Sequence, residues 1–311
     1  MTIIVGFAPD GRSRAPLHLA GMLARSWDED LLVSAVVPVP WPPGVARVDA
    51  EYQAWLEGTA EDALTQARAR VPADVEAAFA VHRARSAPAG LLELAEEREA
   101  SAIVVGSSAA GGLGHVWLGS VSDRLLHSSH VPVALTPRGF RCKPVVRVAR
   151  VSAAYGGSHE ADELVVAAAG LAARAGAPLR LISFVVRPPA PVTAGVGVRA
   201  EEPVIEEWVA EIEAAGRAAL EPVDHLPAPP PALEAALGRG ETWAEALEDV
   251  EWDDGDILVV GSSAIGPVRR VFLGSRASKI VRNSPVPVVV VPRAASAELA
   301  DEAARAQPRS A

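Results

Sequence analysis

Short apolar runs alternate with longer amphipathic stretches along most of the chain. In the first half, the runs that predict strands cover residues 3–7, 31–37, 75–81, 102–105 and 131–135. The stretches between them predict helices, one beginning near Pro16 and others over residues 51–70 and about 91–99. Continuous Val, Ile and Leu runs that alternate with helices are typical of parallel strands covered on both faces. The pattern therefore predicts an α/β fold.

The second half repeats this alternation. Its predicted strands cover residues 151–155, 179–186, 257–260 and 286–291, and its predicted helices cover residues 161–175 and 201–220. The first of these helices ends at Gly176, a residue type favoured just after a helix terminus. Pro-rich segments follow the second strand of each half and predict surface loops.

The two halves are copies of one another. Residues 103–138 align without a gap on residues 258–293, and 17 of the 36 aligned positions are identical. Ordinary composition would give roughly two or three identities by chance. A repeat this long contains a whole domain, so the sequence predicts domains over 1–140 and 145–293. We expect a linker over 141–144 and a flexible polar tail over 294–311.

A glycine follows the fourth predicted strand of each copy, and a Gly-Ser pair follows twelve residues further on. These residues are Gly106 with Gly119 and Ser120, and Gly261 with Gly274 and Ser275. A glycine at a strand end lets a ligand approach the backbone closely. A Gly-Ser pair that opens the next helix presents free N–H groups and the positive end of the helix dipole to a phosphate. The pattern therefore predicts a phosphate-binding loop at the carboxyl ends of the strands.

This loop and the Val-Pro-Val strand that follows it resemble the universal stress protein family, whose ATP-binding members carry a related glycine motif here. The resemblance covers nearly the whole chain, twice. It implies two tandem flavodoxin-like (HUP-type) domains, each a five-stranded parallel sheet of order 3-2-1-4-5 with helices on both faces. It also implies a stress-response module that binds ATP or a related adenine nucleotide, with Mg²⁺ as a companion ion.

The resemblance, carried over position by position, implies a nucleotide site in each copy. The first-copy residues are Asp10, Val36, Gly106, Ser107, Ala109, Gly119 and Ser120. The second-copy residues are Gly156, Val185, Gly261, Ser262, Ala264, Gly274 and Ser275. The resemblance implies that the main chain of Val36 and of Val185, at the end of strand two, contacts adenine.

Both copies depart from the family motif. Its middle glycine is Ala109 in one copy and Ala264 in the other, and a methyl group there would crowd a phosphate. The first copy keeps an acid in its first turn, Asp10, whereas the second has Gly156. These departures predict nucleotide binding in the first copy and weaker binding in the second.

Composition and charge narrow the function classes. The formal net charge is -10 and no stripe of Lys and Arg occurs, so nucleic acid is not an expected partner. No apolar run approaches the about 18 residues of a membrane span, so no membrane association is expected. Residues 1–6 read as a core strand rather than a signal peptide, and Cys142 is the only cysteine. Both observations favour a reducing cytoplasm.

The residues give little support to catalysis or metal binding. His115, His127 and His130 are close in sequence, but their spacing matches no compact metal-ligand set. No paired carboxylates and no Walker-type lysine accompany the loops, so no catalytic residue is assigned. Slow ATP hydrolysis through Asp10 and Mg²⁺ stays open. Two alternatives remain: a nucleotide-independent interaction scaffold and an ATP-pyrophosphatase-type enzyme. The second is kept because residues 155–158 partly resemble the Ser-Gly-Gly loop of such enzymes.

The fifth predicted strand of each copy is an apolar edge strand, and exposed edges invite pairing. The resemblance implies that the two fifth strands meet across a pseudo-two-fold axis, so that one chain forms an intrachain pseudo-dimer. It also implies that the intact chain can form a homodimer.

Overall fold

The computed structural model describes residues 1–8, 14–39, 47–108, 110–157, 159–187, 198–264 and 271–306. The elements of the first half are β1 (Thr2–Gly6), α1 (Ala15–Trp27), β2 (Asp30–Pro38), α2 (Arg47–Arg68), β3 (Ala77–Ala84), α3 (Ala87–Glu97), β4 (Ala102–Gly106), α4 (Ser120–Ser128) and β5 (Val133–Thr136). The elements of the second half are β6 (Arg150–Ala154), α5 (His159–Ala175), β7 (Leu179–Val186), α6 (Val198–Asp224), β8 (Leu233–Gly240), α7 (Trp243–Glu248), β9 (Asp256–Gly261), β10 (Ser263–Ala264), β11 (Val271–Phe272), α8 (Ser275–Asn283), β12 (Val288–Val291) and α9 (Arg293–Arg305).

Ten of these strands form one sheet in the order β3-β2-β1-β4-β5-β12-β9-β6-β7-β8. Within each half the strands are parallel and follow the order 3-2-1-4-5, which confirms the predicted α/β architecture. The short strands β10 and β11 form a separate antiparallel pair within the second copy's loop. No helix in the described part of the chain is both long and apolar enough to cross a bilayer.

The halves join where β5 and β12 pair in the antiparallel sense. Ala134 lies opposite Val289, its own counterpart in the repeat, and the pairs on either side are Leu135 with Val288 and Val133 with Val290. A pseudo-two-fold axis therefore passes through the central pair, and the two fifth strands meet as the family resemblance implies.

The core lies in two layers, one on each face of the sheet. Alternate residues of a strand point to opposite faces, so Ile3 and Val5 enter one layer and Ile4 enters the other. Helices α1, α2, α5, α6 and α9 cover the first layer, and α3, α4, α7 and α8 contribute to the second. Both layers contain residues of both halves, so the core is continuous across the junction of β5 and β12.

Two features differ from the sequence predictions. The sequence predicts a flexible tail over residues 294–311, but Arg293–Arg305 form helix α9, which packs on α5 with Ala295 and Ala303 buried. Gly170 of α5 allows the close approach, because a Cβ atom there would lie 3.0 Å from Ala303 Cβ. The second copy also has a third strand, β8, where the sequence analysis places none.

Candidate functional site

Both copies place a crevice between strands one and four. In the first copy β1 lies between β2 and β4, and in the second β6 lies between β7 and β9. The chain leaves β1 and β4 toward opposite faces of the sheet, to α1 and α4. The connections diverge at the carboxyl ends of the strands, which is the usual ligand position in open α/β sheets.

The second copy has a cleft of about 510 Å³ at this position, hereafter the second-copy cleft. Ligand sites for small molecules commonly measure about 300–1,000 Å³. The lining combines residues from the ends of β6, β7 and β9 with residues of α6, α7 and α8. It includes Tyr155, Gly156, Ser183, Phe184, Trp208, Trp243, Gly261, Ser262, Arg276 and Ala277.

Ser262 supplies a hydroxyl group to this cleft directly after β9. Its backbone N–H donates to Val291 O at 3.1 Å, which fixes the residue against β12. Its Oγ is buried and has no hydrogen-bond partner among the described residues. An unsatisfied buried polar group costs about 1–3 kcal/mol. A ligand atom that bonds this hydroxyl would remove that cost.

The amino terminus of α8 lies at the same cleft. Gly274 is the N-cap residue and receives no side-chain hydrogen bond, and Ser275 and Arg276 open the helix in exposed positions. Ala277 lines the cleft and carries no hydroxyl that could cap Gly274. An uncapped helix start adjacent to a guanidinium group favours an anion.

Aromatic side chains form another part of the cleft lining. Trp243 lies at the start of α7, and its ring centroid is 6.3 Å from that of Phe184 at an interplanar angle of 54°. Trp208 of α6 also lines the cleft and is 48% exposed. Flat apolar surfaces of this kind suit a planar heterocycle. None of these three residues belongs to the site predicted from the sequence.

The strand register shows that the two predicted adenine contacts, Val36 and Val185, are not equivalent positions. Phe7 N donates to Ser34 O, and Tyr155 N donates to Ile182 O, so Ser34 and Ile182 are equivalent. The counterpart of Val36 is then Phe184 and not Val185. Because main-chain groups alternate in direction along a strand, a shift of one residue turns them to the opposite neighbour. The main-chain groups of Phe184 point toward the space beyond the end of β6.

The first copy uses the equivalent serine differently. Ser107 Oγ donates to Thr136 O at 2.8 Å and accepts from Trp117 N at 2.9 Å. The adjacent backbone is closed as well, because Ser108 N donates to Trp117 O at 2.8 Å. The hydroxyl that is unpartnered in the second copy therefore fastens the loop to β5 in the first.

The start of α4 is also closed in the first copy. Gly119 N donates to Ser122 Oγ at 2.9 Å, and the same hydroxyl donates back to Gly119 O at 3.1 Å. Ser122 is 3% exposed, and the next residue toward the amino terminus is Val121, where the second copy has Arg276. The Ser107 hydroxyl and the Gly119 N–H of the first copy are thus bonded within the protein.

The predicted site residues have different positions in the structure. Asp10 and Ala109 lie outside the described residues, and for Ala264 only the backbone, in β10, is described. Gly106 ends β4 and Ser120 begins α4, both at the first-copy crevice. Val36 lies in β2, 6% exposed. Gly156, Gly261, Ser262 and the α8 start come together in the second copy.

The charges around the second-copy cleft favour an anion. Arg276 is the single charged residue among its described lining residues, which include no carboxylate. Burial raises the pKa of Tyr155, and Asp162, whose carboxylate accepts the Tyr155 hydroxyl at 3.2 Å, raises it further. The phenol is therefore neutral at physiological pH. Among the described residues no group of His, Cys, Asp and Glu could hold a metal ion.

The family model of the universal stress protein family matches residues 1–137 and again residues 148–292. A universal stress protein of Mycobacterium tuberculosis strain H37Rv is 41% identical over 298 residues, covering 94% of this chain and 100% of the relative. A universal stress protein of Mycobacterium bovis is similar to the same extent, 41% over 298 residues.

Solved structures show the same architecture. A universal stress protein from Archaeoglobus fulgidus has a TM-score of 0.55 at 20% identity, covering 93% of this chain and 98% of that one. A protein from Pseudomonas aeruginosa PAO1, described as functionally unknown, has a TM-score of 0.59 at 15% identity, covering 98% and 97% of the two chains. At these identities the likeness concerns the fold alone.

Proposed function

Since the chain belongs to the universal stress protein family, with two tandem copies of its domain, we propose that it binds an adenine nucleotide of the ATP type in the second-copy cleft. The observation that carries this proposal is the buried, unpartnered hydroxyl of Ser262 beside the uncapped start of α8 and Arg276. The cleft volume of about 510 Å³ suits a nucleotide.

The phosphates occupy the end of the cleft formed by β9 and α8. Ser262 Oγ and the first N–H groups of α8 bond the phosphate oxygens, and Arg276 supplies the compensating charge at the mouth. Hydrogen bonds to charged groups contribute about 1.5–3 kcal/mol each, more than neutral ones. The absence of carboxylates among the described lining residues adds to the preference for a polyanion.

The base occupies the end formed by β7 and α7. The main-chain groups of Phe184 bond the adenine edge, and the ring of Trp243 packs against the base. Stacking of a base on an aromatic side chain contributes about 1–3 kcal/mol. Trp208 covers the opening from α6.

The first-copy site stays a prediction from the sequence. Its Ser107 hydroxyl and Gly119 N–H are bonded internally, and it depends on Asp10 and Ala109, which lie outside the described residues. We propose that ATP occupies the second copy first, with Mg²⁺ held through phosphate oxygens. Binding without efficient turnover is the expected behaviour, because no general base lies among the described lining residues.

Gly156→Leu tests this proposal without disturbing the fold. Gly156 lines the cleft, its backbone conformation is open to other residues, and an added Cβ meets nothing within 4 Å. Calorimetry should show ATP binding to the wild type and its loss in the variant, with the melting temperature of the nucleotide-free protein unchanged. Gly58→Leu in α2, also with open space around it, is the matched control and should bind normally.

A wild-type protein that gives neither heat nor a thermal shift with ATP would favour the interaction scaffold instead. A ligand at 100 times its Kd adds about 2.7 kcal/mol of stability, so a real site is readily detected. Binding retained in Gly156→Leu but lost in Gly119→Val would move the site to the first copy. ATP turnover within the ordinary enzymatic range, about 1–10³ per second, would favour the enzyme reading.

A further inference from the structure

A second, smaller cavity lies on the outer face of α1, away from the second-copy cleft. It measures about 220 Å³ and is bounded by α1, the chain just after α2 and the connection between the two copies. Its lining includes Arg14, His18, Arg25, Arg70, Cys142 and Lys143. We call it the α1 groove. It shares no residue with the second-copy cleft.

The basic residues converge although they come from three segments. Arg14, His18 and Arg25 are four and seven residues apart, which places them along one side of α1. Arg70 follows α2, and Lys143 belongs to the connection. Such a concentration of basic groups is unexpected in a chain of net charge -10.

Only part of this charge is neutralised within the protein. Asp74 pairs with Arg25, with Nε and Oδ2 2.5 Å apart, and Arg70 Nη2 donates to Gln66 Oε1 at 3.3 Å. The structure records no ion pair for Arg14 or Lys143 with any described residue, and the described lining residues include no carboxylate. Through Arg14 and Lys143, the described lining of the groove carries a net positive charge.

His18 responds to this positive environment. Burial lowers its pKa, and the charges of Arg141 and Arg14 lower it further. A backbone hydrogen bond with Cys142 acts in the opposite direction but does not overcome these effects. An anion placed in the groove would reduce the repulsion and raise the pKa of His18.

We propose that the α1 groove is a binding site for a phosphate-type oxyanion, with a preference for linear chains of phosphates over a single one. The side from Arg14 to Arg25 spans about 16 Å at 1.5 Å per residue. A linear polyphosphate can contact several of the basic groups at once, whereas orthophosphate contacts only some of them. Release of bound counterions makes this preference dependent on salt.

The protein contains its own reporter for this test. Cys142 is the only cysteine, is half-buried in the groove wall, and lies with Sγ 3.5 Å from His18 O. Its rate of alkylation by iodoacetamide should fall saturably with tripolyphosphate, less with pyrophosphate and least with orthophosphate, all at constant ionic strength. The measurement is made in the Gly156→Leu background, so that the second-copy cleft does not contribute.

The double variant Arg14→Gln, Lys143→Gln should raise the apparent Kd for tripolyphosphate at least about tenfold, which corresponds to 1.4 kcal/mol. Arg217→Gln, an exposed arginine of α6, is the matched charge control and should leave the Kd unchanged. The histidine NMR signal of His18 gives a second reading that does not involve Cys142. Its pKa should lie below 6.5 in the free protein and rise with tripolyphosphate.

The proposal is overturned if tripolyphosphate protects Cys142 no better than sodium chloride of equal ionic strength, or if the double variant binds as the wild type does. If Cys142 proves too buried to react, an unchanged His18 pKa on addition of tripolyphosphate overturns the proposal by itself. Loss of ATP binding to the second-copy cleft would leave these results unaffected.

Discussion

The two loops share their motif glycines and serines, but the shared serine after strand four makes different contacts in the two copies. In the first copy Ser107 bonds Thr136 and the Trp117 backbone, and Ser122 caps Gly119. In the second copy the Ser262 hydroxyl has no partner among the described residues, and Ala277 replaces the capping serine. A donor that is satisfied internally is not free for a ligand. The difference indicates that a motif residue can bind a ligand only where the neighbouring residues do not already occupy its hydrogen-bonding groups.

The copies also differ in the residue that follows the N-cap of the helix after strand three. Ser86 and Thr242 both cap a helix by accepting from the backbone N–H three residues on. The residue that follows is Ala87 in the first copy and Trp243 in the second. Three changes outside the identical motif positions, to Trp243, Arg276 and Ala277, thus accompany the second-copy cleft.

Exchange of the α8 residues should have the largest effect on the comparison. Arg276→Val with Ala277→Ser gives the second copy the residues of the first, removes the guanidinium and caps Gly274. We expect the ATP affinity measured by calorimetry to fall by about 2–3 kcal/mol, roughly 30-fold or more. Arg217→Val is a control for the loss of an arginine from the same copy. An unchanged affinity would show that the start of α8 does not contact the ligand.

The equivalent serines should differ in their contribution to folding. Ser107→Ala removes a hydroxyl that both donates and accepts, so the free energy of unfolding should fall by about 1.5 kcal/mol. Ser262→Ala removes a buried hydroxyl that has no partner among the described residues, so the free energy of unfolding should not fall and should rise by up to about 1–3 kcal/mol. Urea unfolding of the nucleotide-free variants measures both values. Equal losses would contradict the difference between the two loops.

Trp243→Ala, which copies the first half at this position, should have the smallest effect. We expect ATP binding to weaken by about 1 kcal/mol through lost stacking. Trp55→Ala serves as a control, since Trp55 is 61% exposed on α2 and remote in the fold from β7. The change in affinity should be smaller for inorganic triphosphate than for ATP, because only ATP carries a base. Equal changes in affinity for ATP and inorganic triphosphate would show that the base does not pack against Trp243.

The sequence predicted the fold closely because the central strands are continuous apolar runs with glycine at their ends. It missed β8, whose Leu-Glu-Ala-Ala-Leu sequence is rich in helix-favouring residues and which forms an outer strand with several exposed positions. It also missed α9, where small alanine side chains give little amphipathic signal but permit close packing on Gly170. In both cases the secondary structure is determined by packing against other elements, which the local sequence does not show.

The sequence favours the first copy as the nucleotide site, whereas we propose the second copy from the structure. The glycines and serines of the loops were identified because they repeat, whereas Trp243 and Arg276 differ between the copies and were therefore passed over. A comparison of the two copies at Ala87 and Trp243, or at Val121 and Arg276, would have pointed to these two residues as candidates for the second copy. Val36 and Val185 are not equivalent positions, because the pairing register of the strands, which the sequence alone does not fix, differs by one residue from the alignment used.

The β5–β12 junction has a consequence for how such a chain can change over time. In a homodimer, the residue on a two-fold axis faces a copy of itself, so every substitution enters the contact twice. Here Ala134 faces Val289, a small side chain against a larger one. Covalent fusion releases the contact from self-complementarity and holds the partners at high effective concentration. Each half is then free to diverge, so that one can specialise in ligand capture while the other serves chiefly as its permanent subunit.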